Sequence, residues 1–208
     1  MSSSTTTATR SRTARTYRRA AAAAPYWTPS ESACTAADAR PPSRQGARCD
    51  HRPPGRTRCL AAGGGWYPGR ENDPWNQAEA ERLIAVRVRG SADQGFPLRS
   101  WGEVHRFVSS YVGLEFPMPL APERKFRADP TFGYEGDAEL IAELAENLGR
   151  RLFPVGWETS ENGIVLLDDT GRFFYLHHTG PYFLGGDETQ ALSSLMTGDQ
   201  EDAEEYFV

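Results

Sequence analysis

The chain has 208 residues with 23 basic and 28 acidic side chains, and no apolar run approaches the roughly 20 residues that a membrane-crossing helix needs, which excludes a helical membrane protein. Up to Arg58 it holds 11 arginines against Glu31, Asp38 and Asp50, a charge of +8, whereas the rest holds 12 basic against 25 acidic residues, a charge of −13. So acidic a C-terminal part repels nucleic acid and favours a basic partner.

Residues 1–58 are mostly Ser, Thr, Ala, Arg and Pro, with almost no Leu, Ile, Val or Phe. Nothing apolar is present to offset the entropy of ordering this backbone, and the segment reads as disordered. Arg18-Arg19 ahead of Ala20–Ala24 hints at an export signal, but Pro25 ends the run short of the about 7 to 15 apolar residues required. The composition also fits a transit peptide, a tail that holds phosphate backbones, or GC-rich DNA translated from a gene start placed too early. Cys34, Cys49, His51 and Cys59 contain no C-x-x-C pair, so no metal is assigned to them. With no cysteine beyond position 59, the C-terminal part has no disulfide, which suits a reducing cytoplasm.

From Leu60 the pattern becomes periodic. Asp73-Pro74 caps a first helix in which Trp75, Ala78, Leu83 and Val86 share one arc, ending at Gly90. Ser100 and Glu103 form a capping box for a second, where Trp101, Val104, Phe107, Val108 and Tyr111 make an apolar stripe that Gly113 stops. Between Leu114 and Tyr134 four prolines leave room for one short edge strand, near Glu115–Met118, and otherwise loop. A third helix starts with Asp137 as cap, is lined by Leu140, Ile141, Leu144 and Leu148, and stops at Gly149.

The period then changes to that of strands. Leu152–Glu158, Ile164–Leu167, Arg172–His177 and Tyr182–Leu184 are β-type runs separated by turn residues, an antiparallel meander. Ile164–Leu167 is apolar on both faces and reads as a central strand covered on each side. Asp187 caps a last helix carrying Ala191, Leu192, Leu195 and Met196, with Gly198 at its end. The tail from Asp199 is acidic and reads as solvated. The fold class is α+β, with N-terminal helices, a meander sheet and a C-terminal helix over residues 59–198, followed by an acidic tail at 199–208.

Few residues suggest chemistry. His177 and His178 are adjacent in a strand and point to opposite faces, one packed and one wet, so they serve no common ligand. His105 reads as a surface histidine. Asp168-Asp169-Thr170-Gly171 fits a hairpin turn better than paired catalytic carboxylates. Gly63-Gly64-Gly65 lacks the preceding strand of a phosphate loop, and neither G-x-S-x-G nor H-E-x-x-H occurs. No cofactor motif is present, and the reading is a binding protein rather than an enzyme. Trp66 and Trp101 read as core rather than contact residues, and Arg70 as an ion-pair or carbonyl-capping residue.

Several short elements in fixed order resist a purely local account. They are Ala62–Arg70 (AGGGWYPGR), Tyr111-Val112-Gly113-Leu114, Phe126 with Asp129-Pro130, Leu152-Phe153-Pro154-Val155-Gly156, Asp168 with Gly171, Arg172 and Tyr175, and Leu184-Gly185 with Ala191-Leu192 and Gly198. Together they resemble the SUKH superfamily of bacterial immunity proteins, in particular its third subgroup, in polymorphic toxin systems. Val112 departs from the family's glycine at that turn, which would strain the backbone if the position required positive φ.

The resemblance implies a cytoplasmic protein that binds and neutralises a cognate toxin, commonly a nuclease or deaminase, without catalysis, cofactor, nucleic acid or membrane. Its motif residues Trp66, Pro68, Gly69, Arg70, Gly113, Pro154, Gly156, Asp168, Gly171, Tyr175 and Gly185 are mainly keepers of backbone shape. The acids at the meander turns and at the start of the last helix, namely Glu158, Glu161, Asp169, Asp187 and Glu188, are the expected toxin contacts. A regulatory scaffold of the same fold, a small hydrolase with dispersed ligands, and an Arg-tail nucleic-acid binder are the rival readings.

Overall fold

A computed structural model describes residues 65–119 and 121–208. The Arg-rich segment and Cys34, Cys49, His51 and Cys59 lie outside the described residues. Those described form four α-helices, two short 3-10 turns and seven strands: α1 (Pro74–Asp93), α2 (Gly102–Tyr111), β1 (Glu115–Met118), β2 (Ala121–Arg127), α3 (Asp137–Leu148), β3 (Leu152–Glu158), β4 (Gly163–Asp168), β5 (Phe173–His177), β6 (Gly180–Gly185), α4 (Glu188–Thr197) and β7 (Glu201–Asp202). The strands make one antiparallel sheet in the order β1 to β7, each paired with its neighbours in sequence. The fold class is α+β, as the sequence pattern predicts.

Both sheet faces are covered. On one, Phe126, Phe153, Val155, Val165, Leu167, Phe173 and Leu184 pack with α1, α2 and α4. On the other, Leu152, Trp157, Ile164, Leu166, Phe174 and Leu176 pack with Ile141, Leu144 and Leu148 of α3 and with Ala203. The Ile164–Leu167 run thus feeds alternate side chains into two cores, and it occupies the central strand. Phe126, Phe153, Ile164, Leu166 and Phe174 are fully buried, each worth about 1.5–3 kcal/mol relative to exposure.

Several local expectations are corrected. Gly90 lies inside α1, which runs on to Asp93, because a surface glycine costs only about 1 kcal/mol in a helix. The buried face of α1 is Asn76, Ala80, Leu83, Ile84, Arg87 and Ser91, whereas Trp75 is 65% exposed. Half of that face is polar, which hides it from an apolar-periodicity reading. Ser100 does not cap α2: Trp101 holds the N-cap position without a side-chain bond, and Ser100 Oγ engages His105 Nε2 at 3.1 Å.

Residues expected as loop form β2, which joins β1 to β3; its exposed Pro122 and charged Glu123, Arg124 and Lys125 mask the strand pattern. Asp137 does not cap α3, whose N-cap is Gly136; the aspartate is buried and ion-paired with Arg87. The tail's acids are solvated, but its backbone adds β7 to β6, and Tyr206 packs on Phe183 with ring centroids 4.2 Å apart. Val112 has φ −51 and carries no strain.

Candidate functional site

The family-motif residues build the frame. Gly69 turns the chain with φ 84, delivering Arg70 beneath the end of α2. There its guanidinium donates to the carbonyls of Ser109 (3.4 Å), Ser110 (3.0 Å) and Val112 (2.7 Å). A cation on three orphan carbonyls of a helix C-terminus satisfies both hydrogen bonding and dipole. Trp66 stacks on Tyr111 and Trp101 meets Phe153 edge-on.

Pro154 and Gly156 flank the β3 register shift, which places the strand's missing donor at a bulge. A Cβ on Gly156 would collide with Phe126, and one on Gly185 with Gln190. Asp168 is buried and accepts from Thr170 N, Thr170 Oγ1, Arg172 N and Arg172 Nε, while Gly171 supplies φ 93 and Gly113 φ 74. These contacts make a hairpin turn, not an acid/base pair.

A different group of residues converges on a cleft of about 760 Å³ between β6 and α4, lined by Asp187, Asp199 and Glu201, and on a second of about 450 Å³ beside it. In the first cleft the acids are engaged locally: Asp187 caps α4, Asp199 takes a bond from Thr197 Oγ1 and Glu201 one from Tyr206 Oη. The second cleft joins the tip of the β1–β2 hairpin, the turns β3–β4 and β5–β6, and the C-terminal end of α4. Its lining includes Met118, Arg124, Glu161, Tyr175, His177, Thr179, Tyr182 and Met196.

Under its floor lies Glu158, fully buried at the end of β3. Gly163 lies opposite it in the β3–β4 register, and the Tyr175 ring covers that glycine so closely that any Cβ would enter the ring. The missing side chain therefore lets Tyr175 Oη reach Glu158 Oε2, to which it donates at 3.3 Å. Glu158 also accepts from Ser160 N (3.0 Å), Glu161 N (2.9 Å) and Arg124 Nε (3.2 Å). Burial acts to raise the Glu158 pKa, but these backbone and guanidinium donors outweigh it and hold the carboxyl below its ordinary value. Burial, reinforced by the Glu158 charge, pushes the Tyr175 hydroxyl upward.

This arrangement predicts a pH signature. Glu158→Gln is expected to cost about 1–3 kcal/mol at pH 7, since it removes the charge from an acceptor with four donors. A carboxyl with a depressed folded pKa stabilises fully above its unfolded value of about 4.3, and that contribution is lost as pH falls through the folded value. The gap between wild type and variant in urea unfolding should therefore close below about pH 4; a gap independent of pH would refute it.

At the cleft surface Arg124 Nη1 lies 3.3 Å from Glu161 Oε1, and Glu161 Oε2 lies 3.1 Å from His177 Nε2. His177 Nδ1 meets Thr179 Oγ1 at 2.8 Å, which in turn meets Tyr182 Oη at 2.8 Å. Burial first, then the neighbouring His178, lowers the His177 pKa and favours the neutral ring. The two histidines do not diverge as predicted: β5 ends at His177, and the chain turns so that the rings approach to 3.8 Å. His177 is also stacked on Tyr175, two residues earlier on the same face. That i, i+2 spacing was the signal available in the sequence.

The five acids proposed as contacts are dispersed and mostly engaged. Only Glu158 and Glu161 come together, and Glu158 has no exposed surface. Asp169 pairs with Arg151, and Glu188 with Arg106 and Tyr111 Oη. The convergence of Arg124, His177 and Tyr182 escapes sequence reasoning because each lies on a different strand, β2, β5 and β6. Among the described residues no group of three or more His, Cys, Asp or Glu could hold a metal ion, and no helix is long and apolar enough to cross a membrane.

A family model described as SUKH-3 immunity protein matches residues 55–198. No curated protein and no solved structure matches the chain.

Proposed function

The chain belongs to the SUKH-3 immunity protein family, and on that premise we propose that it neutralises a cognate polymorphic toxin in the cytoplasm by stoichiometric binding, without catalysis, cofactor, nucleic acid or membrane. The match over residues 55–198 carries this reading. The charge agrees with it: a nuclease or deaminase presents a basic cleft to its substrate, and a partner of net −13 from Cys59 onward is steered to such a surface.

Because Glu158, Glu161, Asp169 and Glu188 are paired with arginines, the long-range field comes more from acids that make no ion pair among the described residues. Glu139, Glu143 and Glu146 form one stripe along α3, and Glu204 and Glu205 follow β7. Local affinity needs an aromatic anchor, and the exposed Trp75 in the first turn of α1 and Tyr67 ahead of the 3-10 turn at Arg70–Asn72 supply two.

The test is co-expression with the toxin domain encoded beside the gene in a sensitive cell, followed by isolation of the complex. Survival with a 1:1 complex is expected; death of cells containing abundant folded protein overturns the reading. One observation favours a second reading, a small hydrolase: His177 and Tyr175 line an open cleft with Arg124 and Glu161. Turnover of an ester or phosphodiester panel that disappears in His177→Ala would establish that reading instead.

A further inference from the structure

We infer that the outer edge of β6, with the Phe174 and Phe183 rings beside it, is a docking surface for an extended basic segment of the partner that carries an aromatic residue, and that residues 199–208 occupy this surface as a displaceable cover. That the partner is a toxin rests on the immunity reading; the surface and its cover do not.

The cover itself shows what fits. Its strand β7 lies along the edge of β6, with Asp202 opposite Tyr182 and Glu201 opposite Phe183. The 3-10 turn Ala203–Tyr206 follows, and Ala203 is fully buried in the core on the α3 face. Tyr206 lies on Phe183 with ring centroids 4.2 Å apart and meets Phe174 edge-on at 6.4 Å. Beyond it the Val208 amide donates to the Asn147 carbonyl at 2.9 Å. Strand pairing along a sheet edge, with an aromatic side chain as anchor, is a general mode of peptide recognition.

The hold is slight. Strand β7 is two residues long against six in β6, and the family match stops at Gly198, before the cover begins. A short edge pairing opens at far lower cost than the core. Charge acts in the same direction, since Asp199, Glu201, Asp202, Glu204 and Glu205 fall within ten residues that contain no Lys or Arg. Asp199, Glu201 and Asp202 accept from the neutral donors Thr197 Oγ1, Tyr206 Oη and Glu204 N, which leave their charge uncompensated. Helix α3, packed into the same core, adds Glu139, Glu143 and Glu146. The guanidinium of Arg172 lies over the Phe174 ring but is bonded to Asp168 at 2.7 Å. A basic segment is attracted by these acids, whereas the cover adds its own to them, so complementarity selects a cationic occupant.

The test uses the full chain labelled with 15N, so that added peptides are silent. Amides of β7 should exchange with solvent at least about 100-fold faster than those of β4. Raising NaCl to about 0.5 M should slow the β7 exchange about threefold by screening the repulsion, and leave β4 unchanged. The probe is a synthetic peptide with the sequence of residues 199–208 in which lysine replaces every Asp and Glu. It should move the Val208 amide saturably to its unstructured position, with a dissociation constant on the order of 0.1 mM. The same peptide with Tyr206→Ala, and the peptide of native acidic sequence, should each bind at least about tenfold more weakly.

No release of Val208 by the lysine peptide at millimolar concentration, equal binding of the lysine peptide and either control, or β7 exchange as slow as that of β4 or indifferent to salt overturns the assignment. The readout needs no toxin. Release without cellular protection retires the immunity reading and keeps the surface, whereas protection without release does the reverse.

Discussion

Asp137→Ala is expected to destabilise the protein by about 3–5 kcal/mol, measured as the loss of unfolding free energy in urea at unchanged m-value. Asp137 opens α3 with no exposed surface, and its Oδ2 lies 2.9 Å from Nη1 of Arg87, which is 5% exposed in the middle of α1. The pair crosses from the helix layer on one sheet face to that on the other. Removing the carboxylate strands a guanidinium whose Nε and Nη2 already lack partners. Breaking a buried pair is costly because the surviving charge cannot reach water. By the same reasoning the double variant Arg87→Met with Asp137→Leu should recover most of the loss, since it buries no charge at all. A single-variant cost below about 1 kcal/mol would mean that Arg87 finds solvent and that the pair contributes little.

Arg70→Ala is the second large effect, about 3 kcal/mol. The side chain is 8% exposed and serves the carbonyls of Ser109, Ser110 and Val112. Its own carbonyl accepts from Asn76 Nδ2 at 3.0 Å, which fixes the start of α1 to the same point. Truncation leaves three acceptors facing a cavity, and hydrogen bonds from a charged donor are each worth about 1.5–3 kcal/mol before non-additivity. Arg70→Lys should rescue only part of this, because a point-like ammonium cannot span three carbonyls as a planar fork does. Full rescue by lysine, measured by the shift of the urea midpoint, would show that charge near the helix end matters and fork geometry does not.

These two residues mark the limit of what the sequence discloses. Elements with strong local signals were legible: the turn around Asp168, the glycine stop after α4, and the central strand Ile164–Leu167, whose two apolar faces require two covering layers. Elements whose reason is tertiary were not. The polar members of the α1 core face, Asn76, Arg87 and Ser91, each engage a partner that no periodicity announces. Strand β2 reads as loop because its Pro122 and its charges lie toward a sheet edge, where solvent tolerates them.

For the site, composition conveyed the sign of the charge but not its placement. Whether Glu158 is a surface acid or a buried keystone depends on Arg124 and Tyr175, 34 and 17 residues away. Trp75 illustrates the converse error, an aromatic placed by periodicity on the apolar arc of a helix and found on the outside.

The strictly sequential sheet also bears on how the molecule is made. Each strand pairs only with those directly before and after it, so four of the six pairings close short turns and the other two, β2 with β3 and β6 with β7, span one helix each; such mostly local pairing is the circumstance associated with rapid folding. The sheet can be laid down strand by strand as the polypeptide leaves the ribosome. On the proposed reading, a cell that must hold an antidote ready before a lethal product matures gains from a sheet whose pairings follow chain order.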